Sequence, residues 1–460
     1  MPPNPGFPLT LPPIALFDAS GSPIEDSADC STVLRNGRVL DETTDSLRCA
    51  ILGTGMMGCE HVSYLMGYAR KASVEFLCDP NTKSLQACET VMKEFQKSSI
   101  ATNDQKNEKT ARELTTENPI GPKLLESEAE LLEYVHEIDL LVIASPNYLH
   151  TEQLLRWGKY EHLTILCEKP VAVSQEQVDQ LREYFSKKTM VPRANIWVAM
   201  EYRFIPAIAK LLSLVPSVVG DIRMVTIREN RYPFLHKVGA WNRDRSKTGD
   251  TLVEKCCHFF DLFRLITGQE ADLEKVRALA QRGINYGTET LEYETPIIDS
   301  AYVITPFHDQ REHGNSEKTE TIGCLELCMY AEGSRHQEEI IVTGTKGRLE
   351  AYLPENKVYA FERPDHAKWK DRSVPPPPES IKRCIYDCSD VRAVHGITED
   401  EALPTHSGYH YSSTAVEWYQ LFQSIHAFKE TGEWRPMVSL EDGLRAVEIG
   451  LRATQAIVNT

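Results

Sequence analysis

Residues 47–58 read LRCAILGTGMMG, a short apolar run that passes directly into glycines at Gly-x-Gly-x-x-Gly spacing. The apolar run has the length and composition of a strand that is buried on both faces. A helical stretch over residues 59–71 follows, and a second strand over residues 73–78 ends in Asp79. This order of strand, glycine-rich turn, helix, strand and acid predicts the dinucleotide-binding unit of an α/β, doubly wound parallel sheet.

The glycine-rich turn is expected to hold the pyrophosphate of the dinucleotide. Gly53 permits the tight turn, Gly55 leaves room for the phosphates to approach the backbone, and Gly58 lets the helix pack closely on the strand. The free N–H groups at the helix N-terminus attract the anion. The predicted cofactor-binding residues of the turn are Gly53, Thr54, Gly55, Met56, Met57 and Gly58.

Asp79 lies 21 positions beyond Gly58, where an acid can accept hydrogen bonds from the adenosine ribose. The alternative is an ordinary turn residue in Asp79-Pro80-Asn81, and both interpretations can hold together. Because a carboxylate at this position repels a 2′-phosphate, NAD is favoured over NADP as the cofactor.

The wound pattern continues with buried strands predicted over residues 138–144, 163–167 and 196–200. Ligands of doubly wound sheets lie beyond the carboxyl ends of the strands, so the polar side chains that follow these strands should meet at one edge. Those side chains are Asn147, His150, Glu168, Lys169, Tyr202 and Arg203. Polar residues 96–123 interrupt the pattern and are read as a surface insertion.

The pattern of apolar and polar residues changes after about residue 220. Apolar and polar residues alternate in several segments, which favours an antiparallel sheet with one covered face and therefore a second, α+β domain. The alternating segments are residues 222–228, 275–281, 300–305, 321–329 and 338–342. Proline-rich residues 364–406 are read as a long loop, and residues 412–459 as a helical tail. The predicted domains are a 1–46 extension, a 47–205 dinucleotide-binding domain and a 206–460 substrate domain.

Residues 251–264 are predicted to form one helix that opens the second domain. Glu254 and His258 are four positions apart, so they would lie on one face of this helix, with Asp261 close to the same stripe. A satisfied buried His–acid pair is the plain interpretation. The functional one is a general base, since histidine titrates near neutral pH. Lys169 could stabilise a developing alkoxide, or could be an ordinary lysine at a strand end.

Composition narrows the function classes. The 460 residues suggest two or three domains. With 50 Lys and Arg against 67 Asp and Glu, the formal charge of −17 disfavours a nucleic-acid partner. No apolar run approaches the ~20 residues of a membrane span.

The twelve cysteines are scattered, none form Cys-x-x-Cys, and the first residues lack a secretory or transit signal. These features favour a reduced, cytoplasmic protein without structural zinc. Metal binding by Cys256, Cys257 and His258 is less plausible than burial of small apolar side chains.

Taken together, the motifs resemble the Gfo/Idh/MocA oxidoreductases, a family that includes glucose–fructose oxidoreductase and inositol dehydrogenases. The resemblance rests on the glycine-rich turn, on SPNYLH at 145–150, on EKP at 168–170, on residues 249–261, and on GTKG at 344–347 with the tail 436–453. It implies an N-terminal Rossmann domain and a C-terminal domain whose large, mostly antiparallel sheet often forms an oligomer interface. A homo-oligomer, dimer or tetramer, is therefore expected.

The same resemblance implies roles for individual residues. Lys169 is the lysine that contacts substrate and nicotinamide ribose, and His258 is the catalytic histidine. Glu254 stands where the family usually has Asp, which moves the carboxylate by about one methylene. The remaining residues assigned to the cofactor are Ser145, Pro146, Asn147, His150 and Glu168.

The leading hypothesis is an NAD-dependent dehydrogenase that acts on a secondary hydroxyl of a sugar, inositol or related polyol. Lys169 would polarise the hydroxyl, His258 would take its proton, and Glu254 would position the histidine or the substrate. Candidates for gripping the sugar are Tyr202, Arg203, Trp241 and Asn242, although Trp241 could be core and Arg203 could pair with an acid. The alternatives are an NAD-retaining glycosidase or lyase of the same family and a non-catalytic NAD(P)-binding sensor.

Overall fold

The computed structural model describes residues 15–17, 46–103, 121–186, 193–285, 296–308, 320–364, 369, 371, 373–376, 380–404 and 410–457. The strands are β1 (Ala15–Phe17), β2 (Leu47–Leu52), β3 (Ala72–Cys78), β4 (Lys123–Leu125), β5 (Leu140–Ile143), β6 (Thr164–Glu168), β7 (Asn195–Ala199), β8 (Ile222–Asn230), β9 (Glu270–Ala271), β10 (Arg277–Arg282), β11 (Ile298–His308), β12 (Thr321–Cys328), β13 (Glu338–Gly344), β14 (Gly347–Leu353), β15 (Lys357–Glu362) and β16 (Lys382–Asp387). The helices are α1 (Met56–Gly67), α2 (Thr82–Asn103), α3 (Glu128–Leu132), α4 (His150–Trp157), α5 (Gln175–Tyr184), α6 (Pro206–Val218), α7 (Arg245–Thr248), α8 (Thr251–Glu254), α9 (Cys257–Thr267), α10 (Val391–His395), α11 (Ser413–Thr431) and α12 (Leu440–Gln455).

The first sheet has six parallel strands in the order β4-β3-β2-β5-β6-β7. Its central strands β5 and β6 are buried along their whole length, as expected of strands covered on both faces by helices. The order reverses between β2 and β5, so the carboxyl ends of these strands flank the crevice where such sheets bind ligands. This confirms the predicted doubly wound domain.

The predicted insertion at residues 96–123 is wrong at both ends. Helix α2 continues to Asn103, and β4 is the edge strand of the parallel sheet, paired with β3. Strand β4 has only three residues and only Leu125 is buried, so it carries no apolar run that a sequence pattern could reveal. Helix α1 begins at Met56, three residues before the predicted start. The middle of the insertion lies outside the described residues.

The second sheet has ten strands, nine of them in the order β1-β16-β15-β14-β13-β8-β12-β11-β10, with β9 beside β11. All neighbours are antiparallel except β8 with β12 and β1 with β16. Buried and more exposed residues alternate along β11 to β14, so one face is covered, as predicted. Helices α6 and α9 pack on this face. The mostly antiparallel second domain is therefore confirmed.

Two predictions, for the loop 364–406 and for the helical tail, need correction. The predicted loop 364–406 contains β16, which extends the large sheet, and the short helix α10. The six residues of β16 are all partly or fully exposed, so no apolar period marks the strand. The helical tail is two helices, since Gly432 ends α11 with φ +68° and Ser439 caps α12. Of the predicted extension 1–46, β1 is described and pairs with β16.

The tail helices return to the first domain and join it to the second. Helix α11 packs on α1, and α12 packs on both α5 and α9. Arg182 of α5 forms ion pairs with Glu441 and Glu448 of α12 at 3.2 and 2.8 Å. Within the described ranges, no helix combines the length and the apolar character that a bilayer crossing requires.

Candidate active site

The glycine-rich turn connects β2 to α1, and two of its glycines are required by the chain's own packing. Gly53 has φ +97°, and a Cβ on it would lie 2.5 Å from the amide nitrogen of Ser145. A Cβ on Gly58 would collide with the carbonyl oxygen of Gly53. Gly55 differs, because a Cβ there would meet no described atom within 4 Å. The space over Gly55 is therefore open, as an approaching phosphate group would need.

The surroundings of this turn fit a dinucleotide. Helix α1 has no side-chain cap at its N-terminus, so its first N–H groups face the open space. The hydroxyl of Thr54 is buried and has no hydrogen-bond partner in the described part of the chain. Asp79 accepts hydrogen bonds from the backbone N–H of Thr54 and of Asn81, both at 2.8 Å. Asp79 thus shapes both the glycine turn and its own turn, beside the place predicted for the ribose.

The loop after β5 is held by His150, which was predicted to contact the cofactor. Both ring nitrogens of His150 lie 2.8 Å from backbone carbonyl oxygens, Nδ1 from that of Pro170 and Nε2 from that of Ser145. The hydroxyl of Ser145 donates to Gln153 at 2.5 Å. Because His150 is fully buried and both nitrogens face the backbone, it positions the loops after β5 and β6. Its predicted contact with the cofactor stays a prediction.

Glu168, at the end of β6, is held by a network from two distant segments and by the backbone of the next residue. His61 Nε2 of α1 donates to Glu168 Oε1 at 2.9 Å, and Trp418 Nε1 of α11 donates to His61 Nδ1 at 3.2 Å. The tryptophan therefore sets the tautomer that carries the His61 proton on Nε2. Glu168 Oε2 also accepts from the backbone N–H of Lys169 at 3.2 Å. These contacts hold Glu168 against the backbone of Lys169, and its predicted contact with the cofactor stays a prediction.

The predicted helix 251–264 is two helices, because it breaks at Lys255 and Cys256 between α8 and α9. The carbonyl oxygen of Glu254 is thereby exposed to Lys169, whose Nζ donates to it at 3.1 Å and to the Glu254 carboxylate at 3.4 Å. Glu254 also lies 3.6 Å from Nζ of Lys237. The structure therefore brings Lys169 and Glu254 together, as a pair from opposite domains.

The Lys169–Glu254 pair stays ionised at neutral pH. Burial opposes both charges, but the carboxylate of Glu254 raises the pKa of Lys169 above its ordinary range. In return, Lys169 and Lys237 lower the pKa of the buried Glu254 despite its burial. Lys169 thus presents a permanent ammonium, and an ammonium has three donors, of which Glu254 accepts two.

His258 is buried in the first turn of α9. Its Nε2 lies 3.7 Å from Oε1 of Glu201, and its Nδ1 has no hydrogen-bond partner among the described residues. The ring stacks on Tyr202, with centroids 4.4 Å apart and an interplanar angle of 12°. Burial, together with the charges of Lys169 and Lys255, lowers the pKa of His258 well below its ordinary range. The imidazole is therefore neutral and can accept a proton.

The four residues predicted to grip a sugar are placed differently. Tyr202 Oη accepts from Lys255 Nζ at 2.6 Å and donates to Glu338 at 3.1 Å, so Tyr202 supports the His258 ring. Arg203 donates to both oxygens of Asp261 at 2.5 Å and to the carbonyl of Met437. The alternative interpretation of Arg203, an ion pair with an acid, is therefore what the structure contains. Asp261 is engaged by Arg203.

Trp241 and Asn242 lie in a short 3-10 segment beside Lys237. Nζ of Lys237 lies 4.5 Å from the centroid of the Trp241 ring. Asn242 is buried and donates to the carbonyl of Leu235 at 3.0 Å, which fixes this segment. Lys237 thus lies between Trp241 and the Lys169–Glu254 pair. Asn242 holds the backbone of the segment that carries Trp241.

Several residues near the site were missed by sequence reasoning. They are His61, Lys237, His410 and Trp418, which come from four separate segments. None lies in a motif or beside a predicted strand end, so no local signal marks them. Cys256 and Cys257 are fully buried, and among the described residues no cluster of His, Cys, Asp or Glu is arranged to hold a metal ion.

Comparison with known proteins gives two family models that together cover most of the chain. The model for the NAD-binding Rossmann fold of the Gfo/Idh/MocA oxidoreductase family matches residues 47–194. The model for the C-terminal alpha/beta domain of the same family matches residues 216–459.

Curated relatives match part of the chain. Glucose-6-phosphate 3-dehydrogenase of Bacillus subtilis is 27% identical over 184 residues, which are 39% of this chain and 49% of that protein. Inositol 2-dehydrogenase of Pseudarthrobacter chlorophenolicus is 25% identical over 236 residues, 51% of this chain and 58% of that protein. The chain thus spans about half the length of these relatives.

Solved structures extend the likeness to the whole fold. An NAD-binding oxidoreductase from Klebsiella pneumoniae has a TM-score of 0.63 and 16% identity, covering 90% of this chain and 97% of its own. A levoglucosan dehydrogenase in complex with NADH and levoglucosan has a TM-score of 0.62 and 17% identity, with the same coverage. At such identities the likeness establishes the fold.

Proposed function

Because the chain belongs to the Gfo/Idh/MocA oxidoreductase family, we propose that it is an NAD-dependent dehydrogenase of a secondary hydroxyl on a sugar, inositol or related polyol. The observation that carries the proposal is the joint placement of Lys169 and His258. Lys169 is a permanent ammonium with one donor beyond those that Glu254 accepts, and His258 is a neutral imidazole with an unpartnered Nδ1 in the described chain. Lys169 contacts Glu254, four positions before His258, and its charge is among those that lower the pKa of His258, which supports a shared site.

These two side chains divide the work of oxidising an alcohol. Bound NAD would supply the acceptor for the hydride. The ammonium of Lys169 would donate to the substrate oxygen and stabilise negative charge as it develops there. Nδ1 of His258 would accept the hydroxyl proton. Glu254 positions Lys169 through its carbonyl and carboxylate oxygens.

NAD is proposed over NADP because Asp79 places a carboxylate beside the glycine turn. Oδ2 of Asp79 lies 2.8 Å from the backbone nitrogen of Thr54. The 2′-phosphate of NADP, bound nearby, would therefore be repelled by this negative charge. The relatives named as glucose-6-phosphate and inositol dehydrogenases support the substrate class. The eleven described cysteines are all free thiols, which supports the proposal of a cytoplasmic protein.

A substrate panel tests the proposed function. The full chain is mixed with inositols, free hexoses and sugar phosphates, with NAD and NADP in parallel, and NADH absorbance is followed. We expect NADH to accumulate with at least one polyol and to do so faster than NADPH. Failure of every polyol, or product formation without net NADH, would contradict the dehydrogenase and point to a sensor or to a cofactor-recycling enzyme respectively.

We also propose that the outer face of the large sheet is the interface of a homo-oligomer, as the family resemblance implies. Five apolar side chains, each about half exposed, share this face. Leu279 lies opposite Tyr302 and Ile322 lies opposite Met224, while Ile304 is two positions from Tyr302 on the same strand. A contiguous apolar patch of this kind is typical of a protein interface.

A charge on this patch should dissociate the oligomer. The double variant Tyr302→Lys, Ile304→Lys places two ammonium groups in the centre of the patch, where an opposing copy would desolvate them. We expect light scattering to show a dimer or tetramer for the wild type and a monomer for the variant. Leu124→Lys, on the edge strand of the other sheet, should leave the mass unchanged. A monomeric wild type would refute the interface.

A further inference from the structure

A line of four acid and imidazole side chains begins at His258. His258 Nε2 lies 3.7 Å from Oε1 of Glu201, and Nε2 of His410 lies 3.7 Å from the same oxygen. On its other side, His410 Nδ1 lies 3.0 Å from Oε1 of Glu60. Thr414 donates to the same Glu60 oxygen at 2.9 Å, which fixes the carboxylate. Acid and imidazole alternate without interruption along this line.

The line runs from the interior towards solvent. The side chains of His258 and Glu201 are 2% and 4% exposed, whereas those of His410 and Glu60 are 23% and 27% exposed. The four residues come from α9, the turn after β7, the segment before α11, and α1. A buried base with a polar path to the surface is a specific arrangement, because buried polar groups are costly to keep.

We propose that Glu201, His410 and Glu60 form a proton relay that carries the substrate's hydroxyl proton from His258 to water, an inference that rests on the proposed function. When CH–OH becomes C=O, a hydride with its two electrons goes to NAD and the hydroxyl proton must leave. Nδ1 of His258 takes that proton, and the proton on Nε2 passes to Glu201.

The remaining steps balance in the same way. Glu201 gives its proton to Nε2 of His410, and the proton on Nδ1 of His410 passes to Glu60 and then to water. Each imidazole accepts at one nitrogen and releases from the other, so it ends neutral, and both carboxylates end ionised. Water that enters after product release lets the ring nitrogens regain their starting tautomers. In the direction of reduction the same path delivers a proton.

Two of the gaps in the line set a condition on the transfers. At 3.7 Å the gaps on both sides of Glu201 exceed a direct hydrogen bond. Each transfer therefore requires a small side-chain rotation or one bridging water, which costs little. The contact between His410 and Glu60 is already a hydrogen bond.

The charges around His258 explain why the protonated base needs a neighbouring group that accepts its proton. The ring is buried and faces the cations Lys169, Lys255 and Arg231, and all of these oppose an imidazolium. A proton that arrives at His258 is therefore not held there. Tyr202, stacked on the ring, is itself bound to Lys255 and Glu338 and does not offer a free acceptor.

The next two groups can take the proton up. Burial raises the pKa of Glu201, with the carboxylates Glu168 and Glu60 adding to it while His410 and Lys169 oppose it. The carboxylates of Glu201 and Glu60 raise the pKa of His410 against its burial and the charge of Lys255. Glu60 faces His410, His61 and Thr414, which lower its pKa despite burial and leave it ionised.

The test removes one carrier and supplies a mobile substitute. In the full chain, His410→Ala is assayed with a polyol that the wild type oxidises, over a range of pH, with and without added imidazole. We expect kcat to fall about tenfold or more at neutral pH, but by no more than the ~10²–10⁴-fold that proton-transfer catalysis contributes. The KM for NAD should not change, and imidazole should restore much of kcat. Glu201→Gln, which keeps the shape but cannot carry the proton, should lower kcat without imidazole rescue.

His426→Ala is the matched control, because His426 lies further along α11 beside Glu430 and off the line. It should leave kcat and its pH profile unchanged. An unchanged kcat in His410→Ala, or a loss that imidazole does not restore, would refute the relay while leaving the dehydrogenase intact. If the wild type forms no NADH with any polyol, the proposed function fails and the relay fails with it.

Discussion

Replacing His258 with glutamine should lower kcat for polyol oxidation by about 10²–10⁴-fold, the range expected when a general base is removed. Glutamine preserves the approximate volume of the side chain and its capacity for hydrogen bonding, but it cannot accept the hydroxyl proton. The glycine turn that is expected to hold NAD lies on β2 and α1, apart from α9. Binding of NAD, followed by fluorescence quenching, should therefore remain within a few-fold of the wild type.

The pH dependence of this loss follows from the surroundings of His258. Burial and the nearby cations lower its pKa well below 6.5, so the neutral, proton-accepting form is present throughout the neutral range. The ratio of wild-type to variant kcat should thus stay constant above pH 6.5. It should shrink only far below that value, where the wild-type imidazole itself becomes protonated and the advantage of the base is lost.

A second histidine provides the control for this prediction. His395 of α10 is also partly buried, and burial lowers its pKa to about 4, but its polar partner is the backbone of Phe204 rather than Lys169 or Glu254. His395→Gln should therefore retain turnover, whereas a general effect of replacing a buried imidazole would lower both. Unfolding midpoints of the two variants should be compared first. Turnover by His258→Gln within threefold of the wild type would exclude His258 as the base.

The parts of this fold that could be predicted are those with a local cause. The turn over residues 53–58 is recognisable because its three glycines stand at a fixed spacing within one short stretch of chain. The strands before Lys169 and Tyr202 are recognisable because both faces of the sheet are covered, which demands an unbroken apolar run. The alternation along β11 and β12 likewise follows from one covered face.

The parts that escaped prediction are set by contacts across long stretches of chain. Nothing in residues 251–264 signals a break, since the stretch contains no glycine or proline after Asp250. The interruption exposes the carbonyl of Glu254 to Lys169, which lies 85 positions earlier. In the same way, His61 and Trp418 meet at Glu168 although 357 positions separate them. Patterns of period and spacing carry no information about such meetings.

Arg203 shows that predicting the position of a residue at the end of a strand does not predict the partner of its side chain. The prediction that Arg203 follows a strand end of the parallel sheet is confirmed, since it comes directly after β7. Its guanidinium nevertheless turns to Asp261 and Met437 and ties the first domain to α9 and the tail. Topology specifies where a backbone emerges, whereas the partner of a long side chain depends on which buried acid lies within its reach.

Replacing Lys169 with methionine should lower kcat by about 10²–10³-fold, the cost of losing one donor to a developing oxyanion. Methionine keeps the unbranched length of the side chain but has no charge and no N–H. The loss should appear mainly in kcat, because the donor acts most strongly when negative charge develops on the substrate oxygen. Steady-state kinetics with the best polyol from the panel measure both parameters.

The Lys169 variant also removes the main counter-charge of Glu254, so a second lysine variant is needed to separate the two effects. Lys237→Met takes away the other cation on Glu254, at 3.6 Å, and leaves in place the Lys169 donor that we propose for the substrate. If Lys169 acts only by neutralising Glu254, the two variants should lose similar activity, and Lys169→Met, Glu254→Gln should recover it. If Lys169 stabilises the oxyanion, Lys237→Met should lose less than tenfold, and the double variant should stay as inactive as Lys169→Met. The second result is expected, because two of three ammonium donors already satisfy Glu254 and the third is the one that we propose to donate to the substrate oxygen.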